Sequence, residues 1–288
     1  MILVTGASGK TGRAIIRALV AKGQQVRAMV RRVEQARPTE SLGAREVVIG
    51  ELRDEATLRQ AAQGVRAIYH ICPNVHPDEI AIGKAATTAA QAAGVKQFVF
   101  HSVLHPHVES MPHHWNKLRV EEALFKSGLA YTILQPAAYM QNVLAGWDAI
   151  ARQGVYRVPY SLQAPMSLVD LEDVAEAVAT ILTQPGHAGA IYELAGPQVL
   201  TPTDVAEALS RGLRRPVRAE RIAIEAWADN AEKSGMGAYP IETLTRMFQY
   251  YDRFGLWGNP RLLSDLLGRP PTRFDAFVER TVREKPDR

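Results

Sequence analysis

Val4-Thr5-Gly6-Ala7-Ser8-Gly9-Lys10-Thr11-Gly12 ends an apolar run that begins at Met1 and opens a helix-periodic segment. Its glycines are spaced Gly-x-x-Gly-x-x-Gly. Gly6 suits a tight turn, Gly9 lets backbone approach a pyrophosphate, and Gly12 lets a helix pack close to a strand. Phosphates would sit on the helix N-terminus, where free N–H groups and the dipole attract anions. Ser8, Lys10 and Thr11 complete the candidate phosphate contacts. The strand–turn–helix context gives the pattern its weight. A tight turn with no ligand is the plainer alternative. Gly9-Lys10-Thr11 is no P-loop, because no glycine stands at the required spacing before it.

Working outward, Ile15, Ile16, Leu19 and Val20 recur at helical spacing, and Gly23 closes that helix. The pattern predicts strands at Gln25–Val30, Val47–Gly50, Ala67–Ile71, Gln97–Ser102 and Ala130–Gln135. Helices are expected at Glu55–Gln63, Ile80–Ala93 and Trp115–Ser127. This βα alternation means a doubly wound parallel sheet, a Rossmann α/β fold. Beyond residue 136 the spacing predicts a helix over Ala137–Ala151, a loop or short strand over 152–165, and a helix over 171–183. A last strand is expected at Ile191–Ala195, then helices at 201–212, 221–233 and 240–254. The expected organisation is a dinucleotide-binding domain over 1–150, completed by 166–195. A smaller, mostly helical cap takes 151–165 and 196–288, with the pocket between the two.

The chain has 288 residues, 47% hydrophobic and 22% charged, which excludes a wholly disordered chain. Its lone cysteine, Cys72, excludes an intramolecular disulfide and a cysteine-based zinc site. No basic leader and no apolar stretch of membrane-spanning length is evident, so a cytoplasmic protein with no membrane partner is expected. Net charge is +4, with the excess early at Lys10, Arg13, Arg17, Lys22, Arg27, Arg31 and Arg32. That excess suits solvated helix faces or an anionic ligand. Nucleic acid is not expected, because no aromatic residues interleave the cations. A homo-oligomer stays open.

NAD sites commonly place a carboxylate at the end of the second strand. This chain has Val30-Arg31-Arg32 there, and Arg31 offers a planar fork for the extra phosphate of NADP. NADP(H) is favoured, with NAD(H) left open.

These residues resemble the NmrA-like group of atypical short-chain dehydrogenases/reductases. The resemblance rests on the glycine pattern at 6–12, Val30-Arg31, Gly94-Val95-Lys96-Gln97-Phe98-Val99-Phe100 and Lys117. Gln135-Pro136-Ala137-Ala138-Tyr139-Met140-Gln141-Asn142 and Tyr251-Asp252-Arg253-Phe254-Gly255-Leu256 extend it. The group includes NADPH-dependent quinone, azo-dye and triphenylmethane-dye reductases, and also non-catalytic sensors of the NADP/NADPH balance. The resemblance implies that Glu51 and Leu52 lie beside the adenine. It implies that Cys72, Pro73 and Asn74 line the ribose and pyrophosphate path and that Lys117 reaches the nicotinamide ribose. Tyr139 to Asn142 would close over the nicotinamide, and Pro136 is a further candidate cofactor contact. Short-chain dehydrogenases typically carry Tyr-x-x-x-Lys; here His113 stands in the tyrosine's place, four residues before Lys117. His113 and Lys117 are therefore the candidate catalytic pair. The missing tyrosine disfavours sugar-nucleotide epimerase chemistry.

All the histidines but His187 fall between 70 and 114, at 70, 76, 101, 105, 107, 113 and 114. They map to the carboxyl edge of the sheet. Proton donors, loop and packing residues, or zinc ligands are the three readings; no metal site is expected. Ser102 binds an oxygen of a ligand or closes a strand end. Tyr250, Tyr251, Phe254 and Trp257 line a flat pocket or pack the cap. The expected activity is flavin-free reduction of a flat, electron-poor acceptor, a quinone or azo compound. The alternative is a redox sensor that acts through a protein partner.

Overall fold

A computed structural model describes residues 1–285. Clustering of contacts divides the chain into two compact units. The first comprises 1–109, 113–135 and 174–192; the second comprises 110–112, 136–173 and 193–288.

In the first unit β1 (Ile2–Val4) leads through the glycine loop to α1 (Lys10–Ala21). Then follow β2 (Val26–Val30), α2 (Ala36–Glu40), β3 (Glu46–Ile49), α3 (Glu55–Ala62), β4 (Ala67–His70), α4 (Glu79–Ala92), β5 (Gln97–His101), α5 (Pro112–Phe125) and β6 (Tyr131–Pro136). The main sheet is completed by β10 (Ile191–Leu194), and its order is β10-β6-β5-β4-β1-β2-β3. The chain winds outward from β1 to β3, then crosses over and winds outward from β4. The reversal falls between β1 and β4, and such a switch point opens a crevice at the strands' carboxyl ends. Both faces of the sheet are covered, so the central strands are buried throughout: Ile2, Leu3, Val4, Phe98, Val99, Phe100, Ile133 and Leu134 are all at 1% exposure or less. α1 turns Ile15, Ile16 and Leu19 inward, as its periodicity predicts.

The second unit departs from expectation at three places. Ala137–Ala151 is not one helix. It forms β7 (Ala138–Tyr139), a 3₁₀ segment (Met140–Gly146) and a π-helical turn (Ala149–Gln153). β7 is held extended by parallel pairing with β9 (Met166–Val169), and Gly146 weakens the helix that would follow. β9 also takes β11 (Val199–Leu200) in antiparallel pairing. The C-terminal third therefore does contain strand. The predicted helix at 221–233 begins only at Ile224, because β12 (Arg218–Arg221) pairs in parallel with β8 (Val155–Val158). α6 (Leu171–Thr183), α7 (Pro202–Leu213), α8 (Ile224–Lys233), α9 (Ala238–Phe254), α10 (Arg261–Leu267) and α11 (Phe274–Glu284) complete the elements. Thr201 and Asp204 form a capping box at the start of α7. Among the described residues, no helix is long and apolar enough to cross a membrane.

Candidate active site

The glycine loop is shaped for close backbone approach. Gly6 has φ +58°, and a Cβ there would lie 2.6 Å from Ile71 Cγ2. A Cβ on Gly12 would lie 2.4 Å from the Gly6 carbonyl oxygen and 2.7 Å from Ala7 Cα. Neither place accepts a side chain. Gly9 is the N-cap of α1, and no side chain caps the helix. Its first-turn N–H groups and dipole are thus left for an anion. Ser8 is half-buried, Lys10 exposed and Thr11 buried. The cradle fits a dinucleotide pyrophosphate.

Arg31 follows β2 with its side chain 62% exposed, and its Nε lies 3.9 Å from Glu51 Oε1. A contact this long and exposed is weak, so a phosphate can displace the carboxylate. Leu52 is buried in the apolar core beside Glu51. After β4, Cys72 is buried while Pro73 and Asn74 are exposed. Burial pushes the Cys72 thiol up, which removes it as a nucleophile near neutral pH.

Lys117 on α5 is the centre of a polar cluster. Its ammonium donates to Glu79 Oε1 at 2.6 Å and to the His101 carbonyl at 3.3 Å. It also lies 5.5 Å from the centre of the Phe100 ring. Glu79, from the first turn of α4, is 1% exposed. Its role was not readable from sequence, since nothing local pairs it with a lysine on another helix.

The histidines do gather at the carboxyl edge. His70 ends β4 and His101 ends β5, both buried. Ile71 N–H donates to Thr5 Oγ1 at 2.9 Å, and the Thr5 hydroxyl donates to the Ile71 carbonyl at 3.1 Å. His70 Nδ1, 3.1 Å from Thr5 Oγ1, is then assigned the proton, and Nε2 is left as a buried lone pair without a partner. His101 Nδ1 makes a short hydrogen bond with Tyr69. His113 and His114 stand edge to face at 4.5 Å, with His113 Nδ1 and His114 Nε2 unpartnered among the described residues. Burial, and after it the positive charge of Lys117, pushes His70 and His101 down to about 3. Burial, then His114 and Lys117, pushes His113 to about 2; His114 falls to about 4, chiefly through burial. His113 is therefore a neutral imidazole near pH 7, and no imidazolium stands ready there to deliver a proton. Among the described residues, no group of three or more His, Cys, Asp or Glu side chains comes together to hold a metal ion.

One turn beyond Lys117, Glu121 is buried at 2% exposure. Ser102 makes a short hydrogen bond to its Oε1, and Gln135 Nε2 donates to both carboxylate oxygens at 3.0 and 3.1 Å. Burial raises the carboxyl's pKa, opposed in part by these bonds. Glu121 and Gln135 were missed in the sequence. The spacing 113, 117, 121 would have pointed to Glu121, since these residues share a helix face. Pro136, Tyr139 and Asn142 lie in the second unit: Pro136 is buried, Tyr139 half-buried and Asn142 exposed. In that unit Tyr250 lies tilted against Phe254 at 5.0 Å, while Tyr251 is buried against Tyr160 and Phe248. Phe254 and Trp257 are exposed.

The sequence matches the NmrA-like family over residues 1–285. It is 32% identical to an NAD(P)H azoreductase of Xenophilus azovorans, with 97% of each chain covered. The crystal structure of an NADPH-dependent quinone oxidoreductase of Escherichia coli complexed with NADPH superimposes with a TM-score of 0.86, at 28% identity. That match covers 98% of this chain and 99% of the other. The Citrobacter triphenylmethane reductase complexed with NADP(H) also gives 0.86, at 26% identity over 97% and 99% of the two chains. From the glycine cradle to the last described helix, this chain belongs to the NmrA-like family.

Proposed function

We propose that this protein is an NADPH-dependent, flavin-independent reductase of flat, electron-poor small molecules such as quinones or azo compounds. The observation that carries this reading is the uncapped, glycine-walled N-terminus of α1 in the same unit as the exposed Arg31 and the fixed ammonium of Lys117. The reductase relatives, and the cofactor complexes among the solved structures, support it.

In this reading the loop from Gly6 to Gly12 binds the pyrophosphate through backbone N–H groups. Arg31 leaves Glu51 to bind the 2′-phosphate, with Lys10 adding charge. Glu51 and Leu52 flank the adenine, and Cys72, Pro73 and Asn74 line the ribose path. Lys117, held by Glu79 and the His101 carbonyl, has one ammonium hydrogen left to orient a ribose hydroxyl. When bound, the nicotinamide supplies the hydride, and the protein supplies position and electrostatics. A single buried cysteine suits the reducing cytoplasm, which we propose as the compartment.

The test is NADPH oxidation by the purified, flavin-free protein with a panel of quinones and azo dyes, with NADPH binding measured alongside. Turnover is expected. Tight binding with no turnover on any acceptor would shift the reading to a redox-sensing module. Arg31→Ala should lower affinity for NADPH by roughly 10- to 100-fold while leaving NADH almost unaffected, the scale of a lost charge-assisted contact. Equal loss with both cofactors would contradict the assignment of the 2′-phosphate.

A further inference from the structure

Among the described residues, Glu121 has no direct contact with a cation. Its immediate partners, the Ser102 hydroxyl and the Gln135 amide, are both neutral. Lys117, on the same helix, and His107, on the loop after β5, act on it only through space. A carboxyl at 2% exposure among neutral partners favours its protonated form more than an exposed one does. The arrangement also works in both proton states. Ionised, Glu121 accepts from the Ser102 hydroxyl. Protonated, it donates to Ser102 Oγ through Oε1, while the Gln135 amide stays on Oε2. That change frees the hydrogen of Ser102 to point elsewhere.

We propose that Ser102 and Glu121 form a two-step proton relay that serves the acceptor's oxygen during reduction, with Gln135 as its support. Ser102, buried at 2% like Glu121, is the member at the carboxyl edge of the sheet: it follows β5, next to His101, whose carbonyl holds Lys117. Ser102 Oγ–H donates its proton to the acceptor oxygen as Glu121 Oε–H donates to Ser102 Oγ. The quinone gains a hydride and one proton, Ser102 ends as a hydroxyl, and Glu121 ends as a carboxylate. Solvent returns a proton to Glu121 between turnovers. Glu121 acts through Ser102 and is a positioning and proton-storing residue. It takes a role that neutral, buried His113 is poorly placed to fill.

This inference rests on the reductase reading, and the two can fail separately. Benzoquinone needs both a hydride and a proton on oxygen. A triarylmethyl dye cation such as malachite green takes a hydride on carbon and needs no proton. The experiment compares turnover of both acceptors, at saturating NADPH, by the wild type, Glu121→Gln and Ser102→Ala. Each variant should lower the quinone-to-dye rate ratio by about tenfold or more, within the usual range for general acid catalysis. Combining the two substitutions should lower it little further. Equal losses on both acceptors, or none, would overturn the relay and leave Glu121 a packing residue. Wild-type turnover of the dye alone would also overturn it. If Glu121→Gln does not fold, the ratio in Ser102→Ala decides. A wild type that reduces neither acceptor overturns the reductase reading, and the relay with it.

Discussion

In the second unit, Asp170 is fully buried, but Arg280 reaches it at 2.7 Å and the Gln141 amide donates to it at 2.7 Å. Asp173, 1% exposed, receives Arg269 at 2.8 Å as well as the Thr272 hydroxyl. In the first unit, among the described residues, His70, His113 and His114 each keep a buried ring nitrogen without a partner, and Glu121 has only neutral hydrogen-bond partners. Both units bury ionisable groups. One compensates them with guanidinium and hydroxyl donors that tie distant segments together. The other pairs Glu79 with Lys117 but keeps its buried histidines neutral by excluding water. A matched buried pair is a staple whose loss strands the remaining charge. A cluster of neutral histidines around a single lysine is poised for ligands and proton exchange, the pattern that marks functional sites.

The largest test of this contrast is acid. A histidine whose folded pKa lies below its unfolded value of 6.5 takes up a proton more readily once the chain unfolds. The stability it contributes is complete above pH 6.5 and declines as pH drops toward the folded value. Each of His70, His101, His113 and His114 should remove about 1.4 kcal/mol per pH unit in that window. Together they are enough to unfold a domain of ordinary stability by about pH 5. Urea midpoints that hold steady between about pH 7 and pH 5 would show that these rings are not buried as neutral bases.

Next in size is Asp170→Asn. It leaves Arg280, 24% exposed and still paired with Glu172, facing an amide, and should cost about 1–3 kcal/mol in denaturant unfolding. The smallest effect is expected for Glu121→Gln, a neutral isostere among neutral partners, at about 1 kcal/mol or less. If the two substitutions cost the same, the distinction between compensated and neutralised burial fails.

The βα rhythm of the first unit was legible because most strands there (β1, β2, β4, β5 and β6) are short apolar runs largely buried on both faces, and helices such as α1 show an apolar stripe. Strand ends moved by only a residue or so: Gln97–Ser102 became Gln97–His101 and Ala67–Ile71 became Ala67–His70. The second unit was less legible because its strands are two to four residues long. Val199–Leu200 and Ala138–Tyr139 are too short to carry a period, and their partners supply what local preference does not. The site divides in the same way. The glycine loop and Arg31 stood out because their chemistry lies in consecutive residues. Glu79 and Gln135 did not, since each matters only through a side chain 38 and 14 residues away, respectively.

Composition, glycine spacing and apolar periodicity were sufficient for the parallel α/β architecture and the glycine cradle at the start of α1. These follow from backbone geometry and burial that neighbouring residues impose on one another. Protonation was beyond them. Whether His113 is a cation or a neutral ring, and whether Glu121 meets an arginine or an amide, depends on water exclusion and on partners from other elements. Those energies arise only once the chain has closed around the groups.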